Sequence, residues 1–393
     1  MNKRSTLRRL AAAGVAIGLP GAAVRPALAQ AEPIRIGLIL SMTGPFASTG
    51  RQIEAGVKLW MAQNGNTVAG RRIEVILKDD AGTADVTRRL AQELVVNDKV
   101  TAIAGFCLTP LGLAAAPIAT QSKTPMVVMV AATASVIDAS PFMVRVSMTV
   151  PQLTLGVAQW APRNGIRKAM TLVSDYGPGI DAEKYFVEQF TKSGGQIVES
   201  LRVPLRSPDF APFLQKVRDA RPEGLFVFVP AGVGAAMMKQ FAERGLDKAG
   251  IRLIGTGDIT EDDILPGMGD VALGVVTSHH YSAAHDSAVN RSFVEAFRKA
   301  NNNLRPNFMA VAGYDGMRAI YQALDATKGA GGEAMVNAMR GMTFESPRGP
   351  IQIDPQTRDI VHNIYVRKVE RVGGELYNVE FDTLKMVGDP RGK

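Results

Sequence analysis

The chain has 393 residues, 46% of them hydrophobic and 21% charged, and its 45 Lys and Arg against 37 Asp and Glu give a net charge of +8. A chain of this length exceeds what one hydrophobic core serves, so two domains are expected. Five of the positive charges, Lys3, Arg4, Arg8, Arg9 and Arg25, fall within residues 1–29, which hold no acid; the remainder carries only +3 and lacks the dense basic run that nucleic-acid binding needs.

The start of the chain reads as an export signal. A basic opening is followed by the uncharged apolar run 10–19 and then by the small-x-small pattern Ala27-Leu28-Ala29. Cleavage after Ala29 and a periplasmic destination are expected. The apolar run is too short to span a bilayer, and no later segment is apolar enough. Arg8-Arg9 leaves a twin-arginine route open beside the general one. No Cys stands at the cleavage point for a lipid anchor, and the single Cys107 excludes an internal disulfide, so packing must supply the stability.

Beyond the signal, strand and helix patterns alternate. Residues 34–40 read as a strand, 41–50 as a Gly/Pro loop and 52–63 as a helix. Strands at 73–78, 100–105 and 126–130 enclose helices at 83–97 and 111–121. After Val150 the alternation restarts, with helices at 152–164, 182–193, 210–220 and 233–244 and strands at 169–173, 197–203, 225–229, 252–254 and 275–278. Helices at 290–300 and 309–327 follow. Residues 349–353, 360–369 and 376–379 read as short antiparallel strands. Repeated βα units with buried parallel strands need helices on both sheet faces, which defines an α/β chain. Ligand sites in such sheets lie at the carboxyl ends of the strands.

Four strand ends carry a resemblance. Ile36-Gly37-Leu38-Ile39-Leu40-Ser41-Met42-Thr43-Gly44-Pro45, Ile103-Ala104-Gly105-Phe106-Cys107-Leu108-Thr109, Pro125-Met126-Val127-Val128-Met129-Val130-Ala131-Ala132-Thr133 and Val173-Ser174-Asp175-Tyr176-Gly177 together resemble the periplasmic Leu/Ile/Val-binding family. These are the type I solute-binding components of ABC importers. The resemblance implies two Rossmann-like lobes with parallel sheets, joined by a three-crossover hinge. Lobe one would be 32–147 plus 278–344, and lobe two 148–277 plus 345–393. It also implies a ligand carboxylate held at Thr109 and Thr133, an ammonium received by the Ala131 carbonyl, and a second-lobe aromatic at Tyr176. Cys107 falls beside this site as a small apolar group, and Tyr281 and Phe308 are further aromatic candidates for the cleft.

Residue chemistry alone leaves alternatives beside these roles. Thr109 and Thr133 each precede a helix, so each can donate to an anion or simply cap its own helix. The chain departs from the family twice. The first loop, Ala47-Ser48-Thr49-Gly50, offers no aromatic residue, although Phe46 is close. The acid expected opposite an ammonium stands one position late, as Asp258 in Gly255-Thr256-Gly257-Asp258. Asp258 either faces the ligand or caps the following helix with Glu261 as its box partner. The first branch favours a branched-chain or other hydrophobic amino acid, the leading expectation. The second favours an aromatic or aliphatic carboxylate without an amino group.

No nucleophile motif or phosphate loop is present. His279, His280 and His285 cluster without metal-ligand spacing and read as exposed or hinge histidines. Asp79-Asp80 reads as the start of a turn. Neither enzyme activity nor a cofactor is expected. The expected protein is a monomer that captures a small solute by cleft closure and presents it to an inner-membrane ABC permease. A ligand sensor for a signalling receptor is the other role open to this fold.

Overall fold

The computed structural model describes residues 32–206 and 208–392; the export segment and its cleavage point after Ala29 lie outside them. The first sheet is built from β1 (Ile34–Leu40), β2 (Thr67–Val68), β3 (Arg71–Asp79), β4 (Ala102–Gly105), β5 (Met126–Val128) and β6 (Met143–Arg145). Its order is β2-β3-β1-β4-β5-β6, parallel except for the short β2. The connecting helices are α1 (Ala47–Asn64), α2 (Ala84–Val96) and α3 (Thr109–Ser122). Nearly every side chain of β1 and β4 is buried, because helices cover both faces. One face packs Ile39, Ile103 and Val128 against Leu90, Leu94 and Ala115 of α2 and α3.

A second sheet follows α4 (Val150–Arg163). Its parallel part comprises β7 (Lys168–Ser174), β8 (Gln196–Val203), β9 (Gly224–Phe228), β10 (Arg252–Thr256) and β11 (Val276–His279). These alternate with α5 (Gly177–Lys192), α6 (Ala211–Ala220), α7 (Gly234–Glu243) and α8 (Leu265–Met268). The chain then adds α9 (Ala288–Ala300), α10 (Phe308–Ala326) and α11 (Gly332–Met339). Of these, α9 and α10 pack on α1, and α11 packs on β6, so they belong with the first sheet. It ends in the antiparallel strands β12 (Thr343–Ser346), β13 (Gly349–Ile353), β14 (Ile360–Val372) and β15 (Glu375–Val387). The second sheet runs β12-β13-β14-β11-β10-β9-β7-β8, with β15 paired to β14. The last two strands are 13 residues each, longer than their broken alternation suggests.

The chain therefore passes between sheets three times, after β6, after β11 and after α11. In each parallel sheet the first strand sits between the second and the third, β1 between β3 and β4, and β7 between β8 and β9. That reversal of strand order opens a crevice at the carboxyl ends of the strands.

Two glycines fix how α10 covers the first sheet. A Cβ at Gly56 of α1 would stand 2.0 Å from the Ala310 carbonyl oxygen, and one at Gly313 of α10 would stand 2.2 Å from that of Ile53. The helices touch backbone to backbone, and neither can yield as a side chain would. Gly313→Ala should therefore destabilise the protein by about 1–3 kcal/mol or more through overpacking, despite alanine's better helix propensity. Denaturant unfolding measures it; an unchanged or raised midpoint would contradict this close crossing.

Candidate functional site

A small cavity lies between the carboxyl ends of the two sheets. From the first sheet it is lined by Cys107, Leu108 and Thr109 after β4 and by Val130, Ala131 and Ala132 after β5. The second sheet supplies Tyr176 and Pro178 after β7, Phe228, Pro230 and Ala231 at the end of β9, and Asp258 after β10. Thr49, Met148, Val150, Leu153 and Met309 complete the wall. Its walls are mostly apolar, with Thr49, Thr109, Tyr176 and Asp258 as the polar side chains.

The loop after β4 reaches the cavity through a strained turn. Gly105 and Phe106 have φ of 114° and 71°, the second unusual for a bulky residue. The turn is held by Phe106 N–H donating to the Ile39 carbonyl and by Ala131 N–H donating to the Phe106 carbonyl. It sets Thr109 as the first residue of α3, at the positive end of that helix. Thr109 does not cap α3, where Leu108 holds the cap position without a side-chain bond. Its hydroxyl instead accepts from Thr133 N–H at 3.2 Å. Thr133 precedes a 3₁₀ turn over Ala134–Ala139 and does not cap it either. The Thr133 hydroxyl is buried without a hydrogen-bond partner among the described residues and abuts Gly177, where a Cβ would come within 2.6 Å of it; Thr133 is not among the residues that line the cavity. The capping alternative fails for both threonines.

Sequence reasoning missed Arg145, which lies under these loops. Fully buried at the end of β6, it donates to the carbonyls of Ala131 (3.2 Å), Thr133 (3.0 Å), Ala134 (3.1 Å) and Met148 (3.2 Å). Its charge is met by Asp359, 2.9 Å from Nε. The Ala131 carbonyl thus already accepts from a cation of the protein itself.

Asp258 lines the cavity, and its helix-capping role is not found. It lies inside a 3₁₀ turn, Gly257–Thr260, whose cap position is Thr256. Its carboxylate accepts from the Thr256 hydroxyl at 2.7 Å. Glu261 is no box partner: it accepts from Gly232 N–H at 2.6 Å and from the Asn307 amide at 3.4 Å. Burial pushes the Asp258 carboxyl up to about 6. Tyr176 stacks on Phe228, with ring centroids 6.2 Å apart and 27° between planes. Cys107 is buried, its thiol pushed up to about 12 by desolvation; Ser41 N–H donates to its sulfur at 3.4 Å. It serves as a packing group.

Tyr281 and Phe308 do not line the cavity. Tyr281 is fully buried, and its carbonyl accepts from Arg367. Phe308 packs against the His279 ring, centroids 4.3 Å apart. Phe46, buried at the start of α1, does not reach the cavity, and Asp79-Asp80 ties the first loops together by accepting from Met42, Thr43, Ser41 and Thr87.

The lobes are closed around the cavity. Arg206 donates to the Gly82 carbonyl, Ala134 N–H to Asp181 at 2.8 Å, and Gln52 and Asn307 to Asp263 at 3.2 and 3.0 Å.

His279 and His280 are fully buried at the second passage between sheets, so of the two expectations for them the hinge position holds and the exposed one does not. Their rings stack at 4.5 Å, and His280 stacks on His362 at 5.1 Å. None of the four ring nitrogens of His279 and His280 makes a hydrogen bond among the described residues. Burial, with Arg367 and Arg348 nearby, holds both rings, and His362, well below the ordinary histidine range. A histidine kept neutral in the fold is protonated on unfolding below about pH 6.5, so its share of stability is complete above that pH and is lost as pH falls toward the depressed folded value. Asp258 and Asp262, both raised to about 6, act in the opposite sense. Comparison with a variant isolates the histidine: His280→Leu should reduce the acid-side slope of stability by up to about 1.4 kcal/mol per pH unit. Urea unfolding from pH 7 to pH 5 reads this; identical slopes would show that His280 protonates in the folded protein.

Two α/β lobes joined by three passages, closed on one cavity between their strand ends, define a type I periplasmic solute-binding protein. Residues 33–375 match the family described as "Periplasmic binding protein", and the chain belongs to that family. It is 43% identical over 368 residues to "Leu/Ile/Val-binding protein homolog 6" of Brucella melitensis, covering 92% of this chain and 94% of that protein. Among solved structures, it is 58% identical to a solute-binding protein of an ABC transporter from Rhodopseudomonas palustris BisB5 in complex with 3,4-dihydroxybenzoic acid. The TM-score is 0.90, over 92% of this chain and 99% of the other. A solute-binding protein from R. palustris HaA2 in complex with p-hydroxybenzoic acid is 39% identical, with a TM-score of 0.88 over 91% and 99%.

Proposed function

We propose that this protein is the substrate-binding component of an ABC importer for aromatic monocarboxylates of the benzoate class. The observation that carries this reading is Arg145. An α-ammonium beside a carboxylate held at Thr109 needs the Ala131 carbonyl, and that carbonyl already accepts from a guanidinium. The guanidinium is itself paired with Asp359, so its effect is to engage this carbonyl from the protein side, while an anion at the loop gains from the N-terminus of α3. The apolar walls suit a flat ring, and the R. palustris relatives with bound hydroxybenzoates point the same way. In this reading Thr109 and Thr133 hold the carboxylate, and lobe one (32–147 plus 278–344) closes against lobe two (148–277 plus 345–393) before meeting the permease. Contacts to both lobes are what make the ligand favour the closed state.

One observation favours the amino-acid reading: Asp258 faces the cavity, where it could meet an ammonium. Thermal-shift and calorimetric titration with benzoate, 4-hydroxybenzoate, 3,4-dihydroxybenzoate, leucine and phenylalanine separates the two. We expect the aromatic acids to bind and the amino acids not to; the reverse order would refute the proposal. Thr133→Val, which removes a hydroxyl that bonds nothing within the protein, should weaken aromatic-acid binding by about 1.5–3 kcal/mol, tenfold or more in Kd. Unchanged affinity would move the carboxylate away from Thr133.

The proposed route to the periplasm is export with removal of residues 1–29. Mass spectrometry of the periplasmic fraction should find a mature chain beginning at Gln30, and a product still carrying Met1 would count against it.

A further inference from the structure

We propose that Tyr176 and Asp258 form a reading pair for a phenolic hydroxyl, so that the protein selects ring-hydroxylated over unsubstituted benzoates. This rests on the aromatic-carboxylate reading of the cavity. Both residues sit on the second-sheet wall, after β7 and after β10, across the cavity from the loops that carry Thr109 and Ala131. A benzoate whose carboxylate lies at the first-sheet loops directs the far edge of its ring at this wall.

The two side chains supply the complement of a phenol. A phenolic O–H both donates and accepts. The Asp258 carboxylate is an acceptor held in place by the Thr256 hydroxyl at 2.7 Å, with no hydrogen-bonded cation. The nearest imidazole nitrogen, His279 Nε2, lies 3.8 Å away, beyond hydrogen-bond distance. The Tyr176 hydroxyl makes no hydrogen bond within the described residues, and its ring is positioned by the stack on Phe228. The phenol therefore donates to Asp258 and accepts from Tyr176. The remaining wall around them, Phe228, Pro178, Pro230 and Ala231, offers no side-chain polar atom to replace either contact. A ring without a hydroxyl leaves the Tyr176 hydroxyl unpaired and the Asp258 carboxylate under-bonded on closure, and that penalty creates the discrimination.

Calorimetric titration of the mature protein with benzoate, 4-hydroxybenzoate, 3-hydroxybenzoate and phenylalanine tests this. Wild type should prefer a hydroxybenzoate over benzoate by roughly tenfold or more in Kd. Asp258→Ala and Tyr176→Phe should each cut that preference to about threefold or less. Asp258→Asn, which keeps a neutral acceptor, should retain more of the preference than Asp258→Ala. A preference unchanged in Asp258→Ala and Tyr176→Phe overturns the reading pair and leaves the aromatic-acid reading standing. Phenylalanine binding that Asp258→Asn abolishes assigns Asp258 to an ammonium and overturns it too. If no aromatic acid binds to wild type, the underlying reading fails with it.

Discussion

The buried guanidinium of Arg145 is the interaction on which the first-lobe wall depends. It gathers four carbonyls from the loop after β5, the following 3₁₀ turn and the first passage between sheets, and it is neutralised by Asp359 at the start of β14. A charge removed from water in this way is costly unless every donor is placed. The arrangement thus fixes the backbone of the loop after β5 from beneath. It also biases that loop chemically, because the carbonyls that could receive a cation are already engaged from the protein side.

A second buried arginine does similar work at the hinge. Arg348 pairs with Asp315 at 2.9 Å and donates to the Ser147 and Val146 carbonyls, tying the passage after β6 to α10 and to the strands that follow. Between these anchors the histidine rings of 279 and 280 pack without a hydrogen bond among the described residues. The passages between lobes thus combine buried arginines that each make several hydrogen bonds with a stack of rings whose contacts have no direction. The contacts that close the lobes include hydrogen bonds from Arg206, Gln52 and Asn307, each replaceable by water when the cleft opens.

The sequence made the alternation of elements legible, because β1, β4 and β9 are continuous apolar runs bounded by turns, and α2 shows its inward stripe of Leu90 and Leu94. Short strands such as β6 and β12, of three and four residues, carry too little pattern to be seen. The strand-end rule pointed to the loops of Thr109 and Thr133, of which Thr109 lines the cavity and Thr133 does not; the family resemblance supplied Ala131, Tyr176 and Asp258, which line it together with Cys107. The strand-end rule, applied to the run 225–229, would have found Phe228 as well. Tyr281 was misplaced because an aromatic next to a strand end faces core as readily as cleft, and Phe308 missed the wall by one residue, Met309. Arg145 was not legible. It stands in a short apolar stretch where a charge signals burial with partners, but those partners are backbone carbonyls and an aspartate 214 residues away.

The crossing of α1 and α10 has a consequence for the order in which the molecule is made. The first sheet and its early helices are complete by Arg145, yet the helix that covers α1 comes from residues 308–326. A chain emerging from its N-terminus holds the apolar face of α1 exposed through more than half of its synthesis. Contacts of such sequence separation are slow to form, since a long loop must close before they contribute. The first lobe cannot finish folding until residues 308–326 have been delivered, long after its own sheet is complete.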